Sequence, residues 1–367
     1  MNEDDLRAAF ARHEAEAPDV RELADNINIE VRRRRARRTR ALTGAVAVVA
    51  ALAIAVPVWL AQRGGVTPPN PVDVAASLTE GPQKDLNLLL LGSDHRSAWP
   101  ENVARADTIV IVHIPADRKK IYTISIDRNT VVDIPAYVPA GYAGGREKIN
   151  SAYYFGSQKG GGPRGGLALT EQVITKLSGV TFDGGAVVEM SAVKTITDAL
   201  GGVPVCLPVA VKLYLDPVNG TAPPGARVLP AGCQSLNGSD ALALIRQRYG
   251  LPHGSYSRDR NVQRYLVGAV QKISELNLFT DADKIAALVA TKGVTPDLGT
   301  LSAPQLALQL RDFTAGDLVP LSQSTTFNAG PSGGEAFTSE GLTLLKALAN
   351  GTIAQFAVDH PQLVLQR

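Results

Sequence analysis

The feature that most constrains this chain is an uncharged stretch of 21 residues, Ala41–Ala61, directly behind the arginine run RRRRARRTR at 32–40. As an α-helix that length spans roughly 30 Å, the thickness of a bilayer core. Pro57 lies near the far end, where a kink costs least, and Trp59 sits where interfacial aromatics usually do. Seven arginines flank the stretch on the N-terminal side and only Arg63 follows closely, the asymmetry that leaves the N-terminus in the cytoplasm. A cleaved signal peptide is the competing reading, but its apolar core runs to only roughly 7–15 residues and seldom follows a long polar leader. The expected organisation is a cytoplasmic tail at 1–40, a transmembrane helix at 41–61, a Pro/Gly-rich tether at 62–82, an extracytoplasmic domain at 83–327 and a C-terminal extension at 328–367 packing on it. The protein is then a single-pass protein of the cell membrane with its large domain outside.

Charge is distributed to match. Residues 1–31 hold nine acids and three arginines, whereas from Gln62 onward 27 basic residues face 26 acidic ones. A nearly neutral domain argues against nucleic acid as a partner, which would call for a basic face backed by net charge. With 45% hydrophobic and 20% charged residues the chain has ordinary globular composition. Its two cysteines, Cys206 and Cys233, both follow the apolar stretch, and in an oxidising exterior such a pair reads as one disulfide. That closure restricts the unfolded chain by roughly 3–4 kcal/mol in the entropy model. A metal site would need nearby histidines, and none of the five clusters there.

Apolar and β-branched runs predict strands at Leu86–Leu91, Thr108–Ile114 and Lys119–Ile126, the last two around a PADR turn, and another at Leu318–Leu321. Helical spacing predicts helices over Leu167–Leu177, after Ser191 and Ser239 as caps, from Asp259 onward, and at 281–291, 303–312 and 339–349. Strands alternating with helices make an α/β (α+β) domain with a central mixed sheet flanked by helices. GPSGG at 330–334 and GGGPRG at 160–165 match nucleophile-elbow and dinucleotide expressions by letter only, since neither sits between a strand and a helix. His95 and His113 stand alone and read as packed or solvated residues.

Arginine and aspartate placed at strand ends carry the chemistry. GSDHR (92–96) follows the first strand, RADT (105–108) opens the second and IDRNT (126–130) closes the third, so these groups should converge on one sheet edge. Asp94 and Asp107 could hold a hard divalent ion, with substrate phosphates completing its shell. Arg96, Arg105 and Arg128 could grip an anion through forked hydrogen bonds. Arg246 and Arg248 diverge by about 200° in a regular helix and serve one ligand only if the helix ends there, as Gly250 and Pro252 suggest; Arg258 could reach the same place. Arginines with two acids and no nucleophile suit phosphate-ester chemistry.

LNLLLLGSDHR, RADTIVIVHIPADRKKIYTISIDRNTVVDIP, KINSAYYFG and LNGSDALALIRQRYG, in this order, resemble the LytR-CpsA-Psr family of bacterial cell-envelope proteins. The resemblance runs from about Asn87 to Gln263 and weakens toward 327. It implies a phosphotransferase that moves a glycopolymer from a polyprenyl-pyrophosphate carrier to a peptidoglycan hydroxyl, with Mg²⁺ on the pyrophosphate. Carried over by motif, Asp94 and Asp107 are the acids at the metal. Arg96, Arg105, Arg128, Arg246, Arg248, Arg258 and Lys148 surround the diphosphate, and Asp107 helps to deprotonate the acceptor. The lipid tail of such proteins occupies an apolar tunnel between sheet and helices.

Four positions depart from the family pattern. Its usual Pro-Arg-Asp is here Asp127-Arg128-Asn129, a frequent Asp is Ser255, and a frequent Gln is Val262, with Gln263 beside it. The loop at 156–166 is also longer than usual. These departures keep two alternatives open: a polyprenyl-phosphate-binding protein without turnover, or a lipid pyrophosphatase with little ligase activity.

Overall fold

The computed structural model describes residues 84–95, 103–214, 222–276, 291–299, 313–322, 325–327 and 333–365, with a few isolated positions between 284 and 310. The expected cytoplasmic tail, membrane helix and tether, and Arg96, lie outside the described residues. Among those described, no helix is long and apolar enough to cross a membrane.

Three leucine- and β-branched-rich segments form the centre of the sheet: β1 (Leu86–Ser93), β2 (Ala106–Ile114) and β3 (Ile121–Ser125). They are antiparallel neighbours, with β6 (Gly184–Glu189) parallel to β1 and β12 (Leu318–Ser322) parallel to β3. Counting β11 (Val294–Asp297), the sheet order is β11-β6-β1-β2-β3-β12. Four two-strand pairs complete the β-structure: β4 (Val131–Ile134) with β5 (Gly145–Lys148), β7 (Val203–Leu207) with β10 (Gly232–Leu236), β8 (Val211–Lys212) with β9 (Val228–Leu229), and β13 (Thr325–Phe327) with β14 (Glu335–Phe337).

Both faces of the sheet are covered, so its strands are apolar on both sides. Leu89, Leu91, Ile109, Ile111 and Ile124 pack against α1 (Asn150–Gly156), α2 (Gly162–Ser178), α6 (Ser339–Ala349) and α7 (Ile353–Asp359). Val110, with the half-buried Leu90 and Val112, faces α3 (Met190–Ala199), α4 (Gly238–Arg246) and α5 (Gly254–Ser274). The described part of the C-terminal extension thus contributes Leu344, Leu348 and Phe356 to the same core as the central strands.

Cys206 and Cys233 face each other in register on β7 and β10 and are joined in a disulfide. His113 is buried on β2, its Nδ1 2.7 Å from Asn87 Oδ1 on β1.

Several helix ends differ from the sequence expectation. The glycine-rich stretch expected as loop to residue 166 enters α2 at Gly162, because Gly165 and Gly156 let α1 and α2 touch through their backbones: a Cβ on either would fall on the carbonyl of the other. α3 begins at Met190 after an extended Glu189, so Ser191 lies inside it. α4 is capped by Asn237, whose side chain accepts from the Asp240 N–H at 2.9 Å, rather than by Ser239. α5 begins at Gly254, which places Arg258 within the helix and not before it. Lys284, Ala287 and Leu288, and Leu306 and Leu310, are helical where helices were expected.

Candidate functional site

The C-terminal ends of β1 and β3 and the N-terminal end of β2 meet at one sheet edge. Their register contains one irregularity: Gly92 pairs with Thr108 but Ser93 pairs with Ala106, so Asp107 is an extra residue in β2. Such a bulge re-aims side chains. Here it sends Ala106 into the same core as Ile109 and Ile111, and leaves Asp107 next to Thr108, which lines a cavity on the α5 face. Gly92 permits this crossing, since a Cβ there would stand 2.8 Å from Thr108 Cβ.

Asp107 accepts a short hydrogen bond from the Arg128 guanidinium. Asp94 is tied to the start of β2 twice: its N–H donates to the Arg105 carbonyl at 3.1 Å and its carboxylate accepts from the Arg105 N–H at 2.7 Å. Burial raises the pKa of Asp94, the Arg105 N–H opposes this, and the neighbouring Asp107 charge adds to it. The two carboxylates therefore share one electrostatic environment, while the Arg105 residue is exposed.

Arg128 sits in a tight turn. Asp127 Oδ1 accepts from the Asn129 N–H at 2.7 Å, and the Asp127 carbonyl accepts from the Thr130 N–H at 3.0 Å. The KIN segment packs on this turn: Lys148 pairs with Val131, and the Asn150 N–H reaches the Arg128 carbonyl at 3.3 Å. Asp127 Oδ2, Arg128 Nε and Asn150 Oδ1 are all buried with no hydrogen-bond partner among the described residues. Three orphaned polar atoms around one turn are costly unless a ligand or water meets them.

Arg258 is 2% exposed and donates to Asp259 Oδ1 through Nε at 3.1 Å and Nη2 at 2.7 Å. Burial works against its charge, but Asp259 and then Asp107 hold it protonated. Burial pushes Asp259 up to about 6 against the pull of Arg258. Arg248 lies beyond the end of α4 with its guanidinium 5.9 Å from the Tyr249 ring centroid. Burial, then the charges of Arg128 and Arg258, lower its pKa, and Asp107 partly relieves this. Arg128, Arg248, Arg258 and Asp107 are thus mutual electrostatic neighbours. Arg246 closes α4 half-buried, followed by Gln247 in extended conformation, so the arginine pair straddles the helix end.

Sequence reasoning missed Asp259 and Gln263. Asp259 adjoins Arg258, where helix spacing gives no reason for a pair. Gln263 bonds Thr123 Oγ1 and Ser125 Oγ, each at 2.7 Å, beneath β3. The polar Thr123 and Ser125 alternating with Ile124 were the signal for a polar partner on that face. Val262, where the family often has glutamine, lines the cavity instead.

That cavity runs between β1, β2 and α3, α4, α5, has a volume of about 150 Å³, and is walled almost wholly by apolar side chains such as Leu90, Val110, Val193, Ile196 and Leu266. It ends at Gly92 and Thr108, each within two residues of a site carboxylate. Among the described residues no three His, Cys, Asp or Glu side chains gather as a metal site.

The LytR_cpsA_psr family model matches residues 66–322. The chain belongs to the LytR_cpsA_psr family. Among LytR_cpsA_psr relatives, it is 29% identical over 267 residues to the cell wall biosynthesis protein LcpA of Corynebacterium glutamicum, a match taking in 63% of this chain and 48% of LcpA, so that it spans about half of that relative. It is 26% identical over 229 residues to the polyisoprenyl-teichoic acid–peptidoglycan teichoic acid transferase TagU of Enterococcus faecalis, covering 62% of this chain and 67% of TagU. The structure of TagT bound to LIIa-WTA shares the fold, with a TM-score of 0.54 and 18% identity over 76% of this chain and 94% of TagT.

Proposed function

We propose that this LytR_cpsA_psr protein is a membrane-anchored, extracytoplasmic phosphotransferase that moves a glycopolymer from a polyprenyl-pyrophosphate carrier to peptidoglycan during cell wall assembly. The observation that carries the reading is the apolar cavity whose lining reaches Gly92 and Thr108, within two residues of Asp94 and Asp107, the latter held by Arg128. An isoprenoid tail fits the cavity's chemistry, and a diphosphate fits its charged end. TagU supports the substrate class, since its name joins a polyisoprenyl-linked teichoic acid to peptidoglycan.

In this mechanism Arg128, Arg248 and Arg258, together with Arg105, Arg246 and Lys148 and, by its motif alone, Arg96, hold the diphosphate oxygens and offset the charge that grows on the leaving phosphate. Asp107, held by Arg128, takes the proton of the acceptor hydroxyl as its oxygen bonds to phosphorus and the bond to the lipid phosphate breaks. The residues suit Mg²⁺, because it usually takes one or two carboxylates plus phosphate oxygens. Asp94 and Asp107 would hold it, and its contribution would be charge neutralisation at the diphosphate. The span at 41–61 would anchor the domain outside the membrane, with the N-terminus cytoplasmic.

A second reading, lipid pyrophosphatase or polyprenyl-phosphate binding with little ligation, rests on Asp127-Arg128-Asn129. Asp127 spends one oxygen on its own turn, and Asn129 brings no charge where the family has an acid. The full chain in detergent, incubated with a polyprenyl-pyrophosphate glycan and a peptidoglycan acceptor with and without Mg²⁺, separates the readings by mass spectrometry. Ligated acceptor, lost in Asp107→Ala with an unchanged circular-dichroism spectrum, is the expected outcome. Cleavage without ligation favours the pyrophosphatase, and bound but intact lipid favours the carrier.

A further inference from the structure

A second cavity lies on another flank of α5. Arg258 and Arg260 point about 200° apart around the helix, whereas Arg260 and Arg264 are one turn apart on the same face. Arg260 and Arg264 line a half-open cavity of about 370 Å³, together with Cys206, Ser322, Gln362 and Leu365. Its walls are built rather than incidental. The Leu365 N–H bonds the Pro320 carbonyl at 2.9 Å and Val364 bridges Leu321, which fastens the C-terminal segment along β12. Cys206, held by the disulfide to β10, closes another side.

Among the described residues no carboxylate lines this cavity. Arg264 donates to Asn261 Oδ1 at 3.2 Å, a neutral partner. Burial and then the Arg260 charge lower the Arg264 pKa, and no acid among the described residues opposes them. Like charges one helical turn apart cost stability unless something answers them. Two guanidiniums in a walled cavity match an oxyanion, which each can grip by paired N–H donors.

We propose that Arg260 and Arg264 form a second oxyanion site, separate from the Asp107 cluster, which takes a phosphodiester of an anionic polymer. Free phosphate has the same chemistry, so the test must distinguish the two. The assignment concerns binding alone and stands or falls independently of turnover at Asp107.

Calorimetric titration of the full chain in detergent with inorganic phosphate and with a glycerol-phosphate oligomer tests it. The oligomer should bind more tightly than phosphate, and Arg260→Gln/Arg264→Gln should weaken it roughly a hundredfold, about tenfold for each charge-assisted contact. The Arg260→Lys/Arg264→Lys chain keeps the charge and helix but loses the fork, and should weaken it about tenfold. Arg248→Gln, in the other cluster, should leave this binding in place. Unchanged affinity in both double variants, or loss through Arg248→Gln alone, would overturn the site. Phosphate bound as tightly as the oligomer would overturn the polymer as its ligand.

Discussion

On one face of the sheet α1 and α2 approach until backbone meets backbone at Gly156 and Gly165, and Leu167, Leu169 and Ile174 fill the space above Leu89 and Ile111. On the other face α3, α4 and α5 present the same residue types to β1 and β2, yet leave an apolar cavity that ends beside Asp94 and Asp107. Hydrophobic composition therefore does not distinguish the two layers, and neither does a close glycine contact, since Gly238 brings α4 onto the Lys194 carbonyl of α3; the difference is the space that α3, α4 and α5 leave over β1 and β2. Dense packing holds the strands rigid from one side, and the space on the other is where a substrate chain can lie.

The hardest test of this contrast is Gly165→Leu. It should cost on the order of 3 kcal/mol or more, because the new side chain meets the Gly156 carbonyl and helix α2 must move. Urea unfolding measures it, and a small change would mean that the dense layer is not dense.

Next in size is Glu171→Gln on α2, within the dense layer. Burial, and then the Asp297 charge, push Glu171 up to about 7 from 4.5. The folded chain thus keeps a proton that the unfolded chain has lost between those values, so stability falls as pH rises through this window and the penalty is complete above it. The Gln variant should be more stable by about 1–2 kcal/mol at pH 8, allowing for the carboxyl's partial exposure, and unchanged near pH 4.5. Thermal melts at both pH values check the sign.

The smallest stability effect should come from the open layer. Ala269→Leu extends a side chain into the cavity and should change stability by less than about 1 kcal/mol, since there is room for it. Its effect belongs in lipid retention, which mass spectrometry of the purified chain would show as reduced. A large loss of stability would mean that the cavity is already filled by core.

Much of the framework was legible in the chain. The β-branched segments around PADR read as β2 and β3, and the glycine and proline after Arg248 marked the end of α4 near the arginine pair. The bulge at Asp107 was not legible, because it depends on the register of β1 against β2 and not on β2 alone. The start of α2 was hidden by glycines that read as loop until the helix they touch is known. The first turn of α5 was hidden for another reason: Gly254–Ser257 follow Pro252 and read as loop, and Arg258 is polar but buried, so hydrophobic periodicity starts only at Asp259. What escaped detection was in each case decided by a distant partner.

Glu335 gives that dependence a direction in time. Its N–H donates to the Asn129 carbonyl at 3.0 Å, and its carboxylate receives the Tyr256 hydroxyl, so the turn carrying Arg128 and the start of the helix carrying Arg258 are both braced by a residue made far later. A chain delivered N-terminus first has its central strands long before it has β12 or Glu335. Until those last segments arrive, the nascent domain holds its arginines without the brace that sets them, and the charged edge is finished only when synthesis is nearly over.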